Sequence, residues 1–202
     1  MLEPGALPFC VYFAAIGLGF MIVEVSQMER LVIFLGHPTY ALSTVLFTLL
    51  LSAGLGSWVT QGVDPEGLRK AGMVRLAVLL GALAIFGLLT PFAIRTFAAS
   101  TTPARLATAV GILFPAGFFM GMAFPLGMIA SASRFRKPDR LTPWFWGING
   151  ATSVVGSVLA LAIALAAGIA ASFWTGLASY VVAMAAFYLT LREATRSTAD
   201  RS

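Results

Sequence analysis

The sequence predicts an all-α fold, a polytopic bundle of about six transmembrane helices with both ends on the cytoplasmic side. Three observations predict it. Of 202 residues, 59% are hydrophobic and only 10% charged, where a soluble domain carries about 25% charged residues. A surface turned to water needs charges that this chain lacks, and lipid is the solvent that tolerates their absence. The apolar residues fall into runs near the ~20 residues that cross a bilayer. The basic residues gather in the connections on one side, as cytoplasmic connections do.

Span one runs from Pro8 to Leu35. It lacks the basic start of a secretory signal, and its apolar run is too long for one. Gly36, His37 and Pro38 make a short turn, with Gly36 as the C-cap and Thr39 or Ser43 helping to start the next helix. Span two covers Thr39 to Thr60, and Gln61 to Lys70 is a polar loop turning at Asp64-Pro65-Glu66-Gly67. Span three covers Gly72 to Ile94, followed by a loop from Arg95 to Arg105. Span four covers Leu106 to Ala132 and contains Pro115 and Pro125. A basic loop from Arg134 to Leu141 leads to span five, Pro143 to Ala167. Gly168 to Ser172 is an uncharged turn, and span six covers Phe173 to Leu191. Residues 1–192 thus form one six-helix domain, and 193–202 a polar cytoplasmic tail.

Alternate crossings put Arg69, Lys70, Arg134, Arg136, Lys137, Arg140, Arg192, Arg196 and Arg201 on the side of the N-terminus. Arg95 and Arg105 fall on the other, with Arg30 near its boundary. The net charge of +5 is therefore a topology signal rather than a nucleic-acid patch, and no nucleic-acid partner is expected. The single cysteine, Cys10, excludes an internal disulfide and a cysteine-based metal cluster within one chain. No internal repeat is legible. Three-helix halves entering from opposite sides nevertheless have the topology of an inverted repeat, a common transporter plan.

Four groups of residues are candidates for a site. Glu24, Gln27, Glu29 and Arg30 put charge inside span one, where each charged residue costs at least about 2.5 kcal/mol. Glu24 and Gln27 share a helix face and Arg30 lies within reach of Gln27. Glu24 is the deepest, a buried carboxylate for a proton or cation, whereas Glu29 and Arg30 suit an ion pair or a snorkelling cap near the interface. His37, the sole histidine, reads first as a structural cap and second as a proton or ligand site. In span four, Pro115 and Pro125 remove backbone donors and break the helix, while Gly117 and Gly121 let another backbone approach. At the start of span five, Asn149, Gly150 and Ser153 offer interhelical hydrogen bonds, a small polar site or close packing, behind Trp144 and Trp146 of an interfacial belt. No enzyme signature is present: Gly17-Leu18-Gly19 and Gly54-Leu55-Gly56 lie within helices, not between a strand and a helix, and no nucleophile has a base beside it.

The runs Gly17-Leu18-Gly19-Phe20-Met21-Ile22-Val23-Glu24, Glu29-Arg30 and Phe34-Leu35-Gly36-His37-Pro38-Thr39-Tyr40-Ala41-Leu42-Ser43 resemble the membrane part of spermidine synthase-like bacterial membrane proteins. So do Gly54-Leu55-Gly56-Ser57, Gly121 to Gly127 and Trp146 to Ser157. The resemblance covers most of the chain and implies the bundle architecture and a bacterial inner-membrane location. Members join such a bundle to an aminopropyltransferase-like domain. Nothing in these residues corresponds to that domain, so the resemblance carries no polyamine synthesis.

Three functions compete. The first is an accessory or scaffolding subunit of a larger membrane complex, motivated by the small-residue faces. Sixteen phenylalanines, four tryptophans and eight methionines also suit packing against pigments, quinones or lipid tails, although no particular cofactor is indicated. The second is half of a transporter for a small, cationic solute, using Glu24 and span four and completed by a homodimer. The third is a membrane anchor for a separately encoded synthase.

Overall fold

The computed structural model describes residues 5–63, 67–135 and 138–199, with 193–199 as backbone only. Six helices are long and apolar enough to cross a membrane. They are α1 (Ala6–Leu35), α2 (Pro38–Thr60), α3 (Leu68–Phe97), α4 (Thr102–Arg134), α5 (Pro138–Ala167) and α6 (Ile169–Ala199). Each expected span lies within one helix. The helices run past the apolar windows, so the connections are shorter than composition suggests. The turn expected at Asp64-Pro65-Glu66, the basic pair Arg136-Lys137 and residues 200–202 of the expected tail lie outside the described residues. The backbone of 193–199 continues α6.

The turns have local causes. Gly36 ends α1 in the left-handed conformation, φ 75°, with its N–H bonded to the Val32 carbonyl, which a residue with a Cβ adopts only at a cost. His37, not Thr39 or Ser43, is the N-cap of α2: its Nδ1 accepts from the Thr39 N–H at 3.3 Å. Between α5 and α6 the five-residue turn expected from Gly168 to Ser172 contracts to Gly168 alone, at φ 92°. No charge there demands a solvated loop. Arg105 ties two ends together across the opposite face, donating from Nε to the Ser100 carbonyl and from Nη1 to the Phe34 carbonyl, each at 3.1 Å.

α1 is the central helix, packed chiefly on α5 and α6, while α2 packs on α4 and α3 lies against α4 and α6. This arrangement is approximately symmetric. Exchange α1 with α4, α2 with α5 and α3 with α6, and these main packing partners map onto one another, although α5 also packs on α6 where α2 and α3 barely meet among the described residues. The exchange holds residue by residue at a shift of one hundred positions. Phe9 and Ala109, Phe13 and Leu113, Ile16 and Ala116, and Val23 and Ala123 are buried pairs on α1 and α4. Ala41 and Leu141, Val45 and Phe145, and Gly56 and Gly156 are the pairs on α2 and α5. Leu83 and Ala183, Phe86 and Ala186, and Thr90 and Thr190 are those on α3 and α6.

The contacts repeat as well. A Cβ at Gly17 would strike Asn149 and Thr152 of α5; one at Gly117 would strike Leu49 and Ser52 of α2. A Cβ at Gly156 would meet the Leu18 carbonyl, and one at Gly56 would overlap the Phe118 carbonyl. Gly72 faces the ring of Phe187, and Gly87 faces that of Phe173. The Ser52 hydroxyl donates to the Leu49 carbonyl, and Thr152 to that of Asn149. Each half has three helices, an odd number, so the two are inverted and their twofold axis lies across the bundle.

Candidate functional site

Where α1 and α4 cross at the centre, a pocket of about 320 Å³ opens between them and α5. Phe20 and Met120, equivalent positions of the two halves, both line it, but the rest of the lining has no equivalent across the repeat, so the pocket lies to the α5 side of the crossing. Phe124 and Trp146 form one wall, with ring centroids 4.4 Å apart. Asn149, Ser153 and Tyr180 supply its polar groups. Asn149 spends its Nδ2–H on the Phe13 carbonyl at 3.0 Å, which leaves its carbonyl oxygen as an acceptor. The Ser153 hydroxyl donates to the backbone carbonyl of Asn149 at 2.8 Å and lies 3.4 Å from that of Gly17. The lining has acceptors and aromatic faces but no cationic side chain.

Glu24 is buried one helical turn beyond Phe20, on the same face of α1. Gln27 continues that side of α1 and is 1% exposed, and neither atom of its carboxamide has a hydrogen-bond partner. A buried, unpartnered polar group costs about 1–3 kcal/mol, so Gln27 is a cost that packing does not explain. The expected pairing of Arg30 with Gln27 does not form. Instead the Arg30 guanidinium lies 5.8 Å from the centre of the Phe173 ring, and its Nη1 is unpartnered. Glu29 likewise keeps one carboxylate oxygen buried without a partner, so the ion-pair reading of these two residues fails among the described residues. His37 lies far along the turn, exposed, as a cap with its ring 5.4 Å from Tyr40.

The span-four candidates separate. Gly117 and Gly121 are close-packing positions against Leu49, Ser52 and Ala53 of α2. Pro115 and Pro125 do not break α4, which is continuous from Thr102 to Arg134. Each removes one backbone donor, but neighbours on several sides hold the helix and no bulk water competes for the freed carbonyls. Pro115 faces an apolar groove of about 360 Å³ between α3 and α4. Just before Pro125, the Tyr12 hydroxyl donates to the Ala123 carbonyl at 2.6 Å and fastens α1 to α4. On α5, Asn149 and Ser153 turn inward, whereas Gly150 faces outward with open space beside it. It takes no part in the expected packing surface.

Sequence reasoning missed Tyr12, Tyr180, Thr48 and Arg75. Thr48 is buried with an unpartnered hydroxyl, and the Nη1 of Arg75 is buried and unpartnered within α3. Arg75 had a legible signal, a charge inside an apolar run; the two tyrosines had none.

Fold and site together define a multi-pass helical membrane bundle with an inverted repeat and a pocket beside the crossing of its two halves. Compared with protein-family models, curated proteins and solved structures, the chain matches none of them.

Proposed function

We propose that this chain is one half of a transporter for a small cationic solute, residing in a bacterial inner membrane with both ends in the cytoplasm. The inverted repeat carries the reading. Transporters built this way hold their solute near the bilayer midplane between the repeats and expose it by rocking one repeat against the other. The pocket bounded by α1, α4 and α5 adjoins the crossing of the two repeats, which supports that reading. Its acceptors and aromatic faces suit a donor-rich cation, and Glu24 is the nearby carboxylate on the central helix. The accessory-subunit reading shares the need for a partner, but no separate feature favours it. The segments that resemble spermidine synthase-like membrane proteins support the same architecture and add no catalytic step.

Uptake of methylamine and of sodium by proteoliposomes is the test. The wild-type chain is expected to raise one of the two above protein-free vesicles, and Glu24→Gln to return it to that level. Uptake unchanged by Glu24→Gln would remove the carboxylate from the mechanism. No flux of either probe would leave an accessory subunit as the better reading.

A further inference from the structure

We propose that an anionic phospholipid docks against α3 and α4, with its phosphate on Arg75 and an acyl chain in the groove between the two helices. Its leaflet is the one on the side of the N-terminus. The site lies apart from the pocket beside Asn149 and does not depend on what the chain transports.

Two features of α3 fall on one stripe. The groove of about 360 Å³ is lined from α3 by Ala82, Ile85, Phe86 and Leu89, and from α4 by residues that include Gly111 and Pro115. Arg75 precedes Ala82 by seven residues, two turns along the same face. Its Nη1 is buried without a partner, and neither α3 nor α4 contains an acidic residue to neutralise it. A cation inside a span is expensive unless an anion meets it. Seven residues, about 10 Å, separate Arg75 from the start of α3 at Leu68, within reach of the headgroups for a long side chain that snorkels. Phosphate oxygens are the anions a bilayer supplies there, and basic pockets between spanning helices hold anionic head groups.

The spacing fits the occupant. The middle of the groove, near Ile85, is ten residues beyond Arg75, about 15 Å along the helix. That is half of the ~30 Å hydrocarbon core, so an acyl chain held by its phosphate at Arg75 ends in the groove. Val78, between the two, is 54% exposed and leaves the route open. The other half of the repeat has neither part. Thr175 stands at the place of Arg75, and its hydroxyl is satisfied by the Ala171 carbonyl at 2.9 Å. Val11 and the buried Tyr12 stand at the places of Gly111 and Ile112, and α6 packs more closely on α1 than α3 does on α4. Cation and slot are present together in one half and absent together from the other, which the packing of the bundle alone does not require.

The test is thermal unfolding of the full chain in mild detergent with added phosphatidylglycerol, phosphatidylcholine of the same acyl chains, or glycerol 3-phosphate. Phosphatidylglycerol is expected to raise the midpoint at concentrations at least about tenfold below those that phosphatidylcholine needs, and glycerol 3-phosphate to leave it unchanged. Arg75→Gln should abolish the difference between the two lipids, and Arg95→Gln, at the far end of α3, should keep it. Gly111→Phe fills the groove from a position where a Cβ meets nothing within 4 Å, and should weaken the response to both lipids. Equal responses to the two lipids, or a preference retained in Arg75→Gln, overturn the phosphate contact. A response to glycerol 3-phosphate equal to that of the lipid, or one untouched by Gly111→Phe, overturns the groove. Mass spectrometry of the wild-type chain extracted from phosphatidylglycerol-containing membranes needs no variant. Stoichiometric phosphatidylglycerol is expected to stay bound, and its absence, or phosphatidylethanolamine in its place, overturns the site.

Discussion

Residues of one type do different work here, and substitution should expose it. At Gly56 an added methyl would overlap the Phe118 carbonyl, while at Gly54, two positions earlier, it would meet nothing. Gly56→Ala is expected to cost about 1–3 kcal/mol, the usual penalty for overpacking, and Gly54→Ala almost nothing; thermal unfolding in detergent measures both. Gln27→Leu should do the opposite. It removes a buried carboxamide without partners, so the variant is expected to be more stable by about 1–3 kcal/mol. If uptake falls while stability rises, the carboxamide is retained for the solute. At this scale the sequence was partly legible. Glu24 and Gln27 stood out because charge and amide are expensive in a span. Tyr12 and Tyr180 did not, because a tyrosine in an apolar run looks the same whether its hydroxyl holds two helices together or lines a pocket.

At the scale of the element, length and hydropathy located every helix, since spanning lipid admits few solutions. The ends were harder. Turn chemistry named Gly36 correctly but passed over His37 as the N-cap, because histidine is a poorer cap than serine or threonine and succeeds here through Nδ1 and the following Pro38. His37→Ala is expected to destabilise the bundle by about 1 kcal/mol and to leave uptake intact, separating a cap from a proton site. The interruption expected of α4 failed because proline weakens a helix only as far as its surroundings allow. The tie from Tyr12 to Ala123 is part of those surroundings. Tyr12→Phe should lower stability by about 0.6–1.7 kcal/mol, the range for interhelical bonds in bilayers, as read by unfolding in the same detergent.

For the whole molecule, the inverted topology was legible and the repeat was not. Packing constrains size and enclosure at a position rather than identity, so few residues persist across the two halves. Gly17 and Gly117, Pro38 and Pro138, Gly56 and Gly156, and Thr90 and Thr190 are among them. Elsewhere Phe86 stands for Ala186 and Gly87 for Phe187, exchanges that hide the relation from residue matching while keeping the volume shared at each crossing. Only the spatial pairs bring the periodicity out.

The two halves agree in how they pack and oppose each other in charge. The uncharged turn at Gly36 to Pro38 has as its equivalent the basic stretch around Arg134 and Arg140, and the basic start of α3 at Arg69 and Lys70 has as its equivalent the uncharged Gly168 turn. Neighbouring helices therefore read one message from the chain, and the inserting membrane reads another. Turned upside down, the bundle would keep nearly all its internal contacts, so folding has little to say about which way up it sits. The arginines and lysines are expected to break the tie. Moving them, by replacing Arg134 and Arg140 with serine and placing lysines beside Gly168, is expected to yield a population of intact but inverted molecules, visible by labelling the termini from either side.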